Sequence, residues 1–486
     1  VRQKQIYSIA IFLLTSILAI LPAAAEPQLK TLSNGMTVFL NPIASEENVA
    51  IWLAYHAGAD AQTAQTAGLF KLLELVLFNG PAASPGTTEP AAAIDVLEPN
   101  RIAGGTSLDR FEFGFSVSKE KLIPALDTIL YLFSQERREF LLAQTDGVEN
   151  ARQSARALVK DSTIDSDAIH EMAVAKKLFS KAPFRLDVQG ADYVLEKADA
   201  ATLRTFAATW MVPNNAFIAI TGNFDTDQIM NLLDERFGQL PKAPNPWPAS
   251  MAVFPKPGVT RPLFLVFPDS TMPSGMMQVE LRYRGPDPKE TSSFTALRML
   301  EELANAPTSR FNAAIRKGMP KGAEPKEVRI AYSPNRNASW LSIIASIPLP
   351  AGEKPTDIVF SFKELARGTE LYMIKSNPAY FSSSEYQAAR QSLLEKNMAI
   401  QSDPLDAAAH AAALWSWGIP SFIFQETDTI MKTAQKELAQ AVDTYIQKNL
   451  EVVTVRLNPD LYEASKKVFS SNGFEAVTAQ NAFWWR

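Results

Sequence analysis

The sequence predicts an α+β fold in two homologous halves, each a mostly antiparallel sheet with helices packed on one face. Three observations carry that expectation. A string reading helix, turn, strand, loop, helix occurs twice. A proline-rich stretch separates the two occurrences. Within the first half, strands and helices follow the order β-β-α-β-α-α-β-α, which fits antiparallel pairing with segregated helices.

LSNGMTVFLN holds Asn34-Gly35, a hairpin turn signal, before a strand with alternating faces. Val49–His56 reads as a second strand. Gly68–Phe78 reads as a helix, and Leu122–Phe133 and Asp146–Val159 follow as helices from their apolar spacing. LRTFAATWMVPNNAFIAITGNFDTDQIMNLLDERF then gives helix, turn, strand (Ala216–Thr221), loop and helix. In the second half LAQAVDTYIQKNLEVVTVRLNPDLYEASKKVF repeats that order, with Val452–Leu457 as the strand. Leu203 and Leu438, Trp210 and Tyr445, and Asn214 and Asn449 pair at one offset of 235 residues. AIWLAYHAGAD and VELRYRGPD match more loosely, each a strand running into a Gly or Pro turn. A unit far above ~50 residues means duplicated domains rather than a solenoid. Between the halves, Pro241, Pro244, Pro246, Pro248, Pro255, Pro257 and Pro262 remove backbone donors and helical dihedrals. The expected organisation is therefore residues 26–240, a linker over 241–262, and residues 263–486.

Composition removes several functions. The 486 residues include no cysteine, which excludes a disulfide framework, a thiolate zinc site and a cysteine nucleophile. The three histidines, His56, His170 and His410, are scattered, so no local histidine pair exists. A net charge of −5 gives no electrostatic case for nucleic acid. No phosphate loop, dinucleotide fingerprint or G-x-S-x-G elbow is present. His56 reads as a turn or surface histidine, and His410, in AAAHAAALWSW, as a packing residue.

The N-terminus reads as an export signal. Arg2 and Lys4 precede an apolar run from Ile6 to Leu21, and Ala23-Ala24-Ala25 offers a cleavage site. An uncleaved anchor is the alternative. Cleavage removes two basic and no acidic residues and leaves −7. No later stretch is long and apolar enough to span a bilayer, and an exported chain without cysteine fits the bacterial periplasm.

The stretch AGLFKLLELVLFNGP, Ala67 to Pro81, carries the chemistry. With LSNGMTVFL, PNNAFIAITGNFD, Gly104-Gly105, Asp109, KAPF at Lys181–Phe184, Gly190 and TSRFNAAIRKG at Thr308–Gly318, it resembles the pitrilysin/insulinase superfamily of zinc peptidases. The likeness is to its half-length, mitochondrial-processing-peptidase-like members, and it runs from Leu32 to the C-terminus. It implies a metallohydrolase-like fold. In that family a His-x-x-Glu-His helix binds zinc, and its glutamate activates water. Here Gly68, Leu69, Leu77 and Phe78 keep the frame, but Lys71 and Leu75 stand at the histidine positions and only Glu74 matches. Neither an ammonium nor a leucine binds zinc.

The resemblance implies a further glutamate ligand. Glu149 has suitable spacing, but the local pattern points to Ala155–Leu158, which has no carboxylate, and absence is the favoured reading. It also implies an arginine and a tyrosine that hold the substrate carbonyl. Arg316 matches the arginine; the tyrosine position reads Ala323, with no tyrosine before Tyr332. Two readings stand for Lys71 and Glu74: an i, i+3 ion pair filling the zinc cavity, or Lys71 snorkelling to solvent while Glu74 caps a nearby donor.

The resemblance and the altered motif together imply a periplasmic pseudo-peptidase subunit, without cofactor, that pairs with a zinc-bearing homologue around a peptide-degrading or processing chamber. The alternative is a non-catalytic peptide-binding or scaffold protein, alone or as a homodimer. An active hydrolase with a rearranged site ranks below both. The terminal Phe483, Trp484 and Trp485 are expected to dock on their own domain or on a partner.

Overall fold

The computed structural model describes residues 26–44, 46–78, 96–179, 187–247 and 259–483. The expected signal segment, Gly80 and Pro81, the KAPF stretch, residues 248–258 of the linker, and Trp484 and Trp485 lie outside the described residues.

Two six-stranded sheets form. The first uses β1 (Gln28–Thr31), β2 (Thr37–Pro42), β3 (Asn48–Tyr55), β4 (Arg101–Thr106), β5 (Phe111–Ser118) and β6 (Ala216–Gly222), ordered β1-β2-β6-β3-β5-β4. The second uses β7 (Leu263–Pro268), β8 (Met276–Arg284), β9 (Glu327–Ser333), β10 (Trp340–Pro348), β11 (Glu451–Leu457) and β12 (Phe474–Ala476), ordered β12-β7-β11-β8-β10-β9. Five positions correspond strand for strand, and β2–β6 and β7–β11 are parallel at the same place. Only the outer strand differs. β1 is the antiparallel arm of the Asn34-Gly35 hairpin, whereas β12 joins β7 in parallel from the far end of the chain.

The duplication holds in register. Tyr55 faces Ala216 and Tyr283 faces Glu451, so the 235-residue offset is that of the two strands. The asparagines are a correction. Asn449 donates to the carbonyls of Arg284 and Tyr445 (3.0 and 3.2 Å), and the side chain that does the same for His56 and Trp210 is Asn215 (3.2 and 2.9 Å). Asn214 instead accepts from the Ala243 amide.

The helices used below are α1 (Leu69–Phe78), α2 (Leu122–Leu132), α3 (Gln135–Ala143), α4 (Thr145–Ser162), α5 (Ser166–Leu178), α6 (Ala200–Trp210), α7 (Thr291–Asn305), α8 (Arg310–Gly318), α9 (Pro404–Ser416) and α10 (Glu426–Lys432). Along β3, Val49, Ile51, Leu53 and Tyr55 enter the same core as α1 to α6, as a period of two requires. Along β8, Met277, Val279, Leu281 and Tyr283 do the same with α7 and α8. β1, β4, α3 and α5 carry no clear sequence signal. β1 is short and half polar, β4 (RIAGGT) has two glycines and no alternation, and α5 is packed on more than one side.

The opposite face of each sheet is covered by one helix lent by the other half. α9 lies across β3 and β6, where Leu405, Ala408, Ala411 and Ala412 meet Ala50, Trp52, Ala54, Phe217 and Ala219. Small side chains on both surfaces allow the close approach. Pro404 at the first helical position and Asp403, accepting from the amides of Leu405 and Asp406 (both 2.9 Å), start α9 at the sheet edge. Reciprocally, α5 lies on β8 and β11, capped by Asp165 on the Ala168 amide at 2.7 Å.

The two lent contacts differ in chemistry. Under α9 the sheet is apolar; under α5 it is polar. Buried Glu280 takes the Arg282 Nε at 2.6 Å, and the rest of that guanidinium grips Glu171 of α5 (2.5 and 2.6 Å). Burial pushes the Glu280 carboxyl up, but Arg282 and His170 outweigh it and hold it below the usual range. His170 Nε2 lies 2.9 Å from the Thr454 hydroxyl, and burial lowers its pKa, against the opposing pull of Glu280. A buried pair broken on one side leaves an uncompensated charge. Arg282→Met is therefore expected to cost about 3–5 kcal/mol, and the double variant E280M/R282M to recover most of it. Denaturant midpoints of the three proteins check this; equal losses in both variants refute it.

His410 on α9 is likewise structural. Its Nε2 sits 2.7 Å from Glu426 of α10, which also pairs with Arg298 of α7. Burial raises the Glu426 pKa, but the hydrogen bond and charge of His410, with Arg298, hold it down to about 2 from 4.5. A depressed carboxylate stabilises the fold fully above its unfolded value and loses that contribution as pH falls through the folded one. Stability should therefore fall between pH 4.5 and 2, and Glu426→Gln should flatten that part of the profile. Chemical denaturation at stepped pH reads the difference.

Candidate functional site

The α1 helix begins where Gly68, at φ +98°, turns the chain against Gly190; a Cβ on Gly190 would lie 2.2 Å from the Gly68 Cα. The Gly68 amide is fixed by Gln62 Oε1 at 2.7 Å. Seven of the ten helix residues are buried, including Leu75. The two polar side chains, Lys71 and Glu74, fall on the remaining face.

There they meet. Lys71 Nζ lies 2.7 Å from Glu74 Oε1, with 17% and 16% of the side chains exposed. Glu74 Oε2 accepts the backbone amide of Thr106 at 2.6 Å, at the end of β4. Glu74 thus joins both arrangements the sequence left open: it pairs with Lys71 and it caps a donor. The Gly105 Cα passes beside it at φ +135°, and a Cβ built there would stand 3.5 Å from both carboxylate oxygens.

The remaining candidates lie elsewhere. Glu149 is on α4 but not on its buried face, which carries Val148, Ala151, Ala155 and Val159 and packs on α1. It pairs with Arg152 and takes Gln153 Nε2 at 2.9 Å, and these hydrogen bonds hold its carboxyl below the usual range. Arg316 on α8 donates to the Lys326 carbonyl at 2.8 Å, next to β9, and Ala323 is fully buried. The geometry brings together Lys71 and Glu74 alone.

His56 lies in the bend that follows β3, away from the open surface. It is largely buried where the halves meet, between the rings of Trp247 and Trp415 (5.1 and 5.5 Å). Its Nδ1 is 3.1 Å from Arg336, whose guanidinium also bonds buried Asp60 at 2.9 Å and lies 4.0 Å over Trp247. Burial first, then Arg336, Lys289 and Arg110, keep the imidazole neutral. Burial and Asp109 raise the Asp60 carboxyl to about 6, against the pull of Arg336. Nothing local in the sequence marks this junction, because its members come from positions as distant as 56, 247, 336 and 415.

Zinc is the metal that the superfamily implies, and the side chains on α1 do not fit it. One carboxylate, already bound to an ammonium and an amide, stands between a lysine and a leucine. Among the described residues, no group of three or more His, Asp or Glu side chains could hold a metal ion. Lys71→Met leaves Glu74 Oε1 without its partner and is expected to destabilise by about 1–2 kcal/mol. A loss under roughly 0.5 kcal/mol in equilibrium unfolding would refute the paired arrangement.

Residues 197–345 match the family described as the Peptidase M16 inactive domain. No curated protein matches the chain. A protease from Helicobacter pylori superposes with a TM-score of 0.69 at 14% identity, over 89% of this chain and 99% of that one. The first half of the periplasmic protease PqqL from Escherichia coli gives 0.68 at 16%, over 92% and 95%. A chain of complex III2 from Candida albicans gives 0.67 at 13%, over 92% and 100%. At such identities the likeness is one of fold. The chain as a whole thus shares the fold of these peptidase-like structures, and residues 197–345 are similar to that inactive-domain family.

Proposed function

We propose that this chain is an exported, zinc-less pseudo-peptidase subunit that pairs with a zinc-bearing homologue and helps to shape a peptide chamber. One observation carries the reading. Where the superfamily places two histidines and a glutamate, this chain has an ammonium, a buried leucine and a carboxylate held 2.7 Å from that ammonium. Such a helix cannot generate a metal-bound nucleophile. The fold nonetheless supplies both sheets that a half-length subunit brings to a chamber.

Pairing is supported by the matched chains. PqqL in full is covered over 49% of its length, so its single chain holds about twice this one's extent. Complex III2 is named as a complex. Export is supported by the N-terminal pattern of residues 1–25 and by likeness to a protease named as periplasmic.

The edge of the first sheet favours the second reading, capture of an extended peptide without cleavage. β4 is an outer strand of that sheet, Ile102 is 52% exposed on it, and its end is pinned by Glu74. An open strand edge can accept a peptide by backbone pairing.

Co-purification of the chain from its native source separates the readings. A complex with an exported homologue bearing His-x-x-Glu-His is expected; a homodimer that binds peptides favours the second reading. Zinc at one equivalent per chain, lost together with peptidase activity in Glu74→Gln, would overturn both.

A further inference from the structure

A cavity of ≈ 480 Å³ opens in the first half between the start of β2, the end of β3, and helices α2, α3 and α6. Neither Lys71 nor Glu74 lines it. Its volume is in the range of small-molecule sites. Met36, Leu53, Phe133, Ala207, Met211 and Phe237 make its walls apolar.

Polar side chains break that surface, Tyr55 and Arg138 among them. Tyr55, set between Phe111 and Phe133, is buried, and its hydroxyl has no hydrogen-bond partner among the described residues. Burial raises this phenol to about 12 against the opposing charge of Arg138, so it remains a proton donor. Arg138 donates one N–H to the Phe133 carbonyl at 2.5 Å and has no carboxylate partner among the described residues. The neighbouring Arg204 is neutralised, its Nε shared by both oxygens of Glu139 (3.0 and 2.7 Å). Exposed Lys242 adds a further cation at the rim.

We propose that this cavity binds an amphipathic monocarboxylate of the medium-chain fatty acid class. The alkyl chain lies on the apolar walls, and the carboxylate takes the Arg138 guanidinium and the Tyr55 hydroxyl. The charge decides against a neutral or cationic ligand, since the lining charges without a carboxylate partner among the described residues, Arg138 and Lys242, are cations, and Tyr55 adds a donor. A carboxylate satisfies both through charge-assisted hydrogen bonds.

Calorimetric titration of the full chain with decanoate tests it, with decanol as the uncharged probe. One saturable decanoate per chain is expected, with decanol weaker. Arg138→Gln should weaken decanoate about tenfold or more and leave decanol within about twofold. Tyr55→Phe should weaken decanoate by a few fold, and Ala207→Trp, which fills the cavity, should abolish uptake of both. No saturable decanoate binding, or an affinity unchanged by Arg138→Gln, overturns the proposal. If Ala207→Trp fails to fold, the Arg138→Gln and decanol comparison decides alone.

Discussion

Each half of this protein depends on a helix that belongs to the other. A six-stranded sheet has two faces, and each half's own helices cover only one. Left open, the outer face of the first sheet would expose Trp52, Phe217 and their neighbours to water. α9 removes that surface, and α5 covers the polar outer face of the second sheet. Burial of an aromatic side chain contributes on the order of 1.5–3 kcal/mol, so the first half would not be expected to keep its stability without α9. The cost is paired: whatever loosens one lent helix exposes a sheet in one half and unanchors a segment of the other.

The exchange also explains why the two halves can diverge while the plan stays fixed. Helix position is set by sheet geometry, and the strand orders match at five positions. The contact chemistry is free to change. Alanines against small and aromatic residues hold α9, whereas Glu280, Arg282, Glu171 and His170 hold α5. The first contact is nondirectional and relies on close approach. The second needs geometry, because each buried polar group must find its partner.

The plan is legible in the sequence because it rests on local signals. Asn34-Gly35 marks the hairpin, alternating residues mark the strands, and the 235-residue offset between Trp210 and Tyr445 marks the duplication. The illegible parts are nonlocal. No pattern in AAAHAAALWSW says that its alanines face another half's sheet, and none near His56 announces Arg336 or Trp247. The C-terminal Phe483 is similar: it is buried in the core of the first half, although the chain around it belongs to the second. The one-residue asparagine shift is a subtler case. A constant offset pairs Asn214 with Asn449, but the carbonyls needing a donor are reached from position 215. At the candidate site, both partners of the Lys71–Glu74 pair can be read from the sequence, since i, i+3 positions on a helix are neighbours by geometry. Thr106 cannot, because it reaches Glu74 only through sheet formation.

The Thr106 amide changes what the glutamate means. A lone Glu at the position of a family's water-activating residue invites a catalytic interpretation. Here both carboxylate oxygens have other duties: one neutralises Lys71, the other satisfies the last amide of an outer strand. A buried or half-buried backbone N–H without a partner is costly, so this second bond is reason enough for a carboxylate at position 74. Lysine then follows as the countercharge to that carboxylate, in a site where the described residues offer no set of metal ligands. Leucine at 75 follows too, because that direction points into the core. The three residues form one consistent structural solution, and the glutamate needs no reaction to account for it.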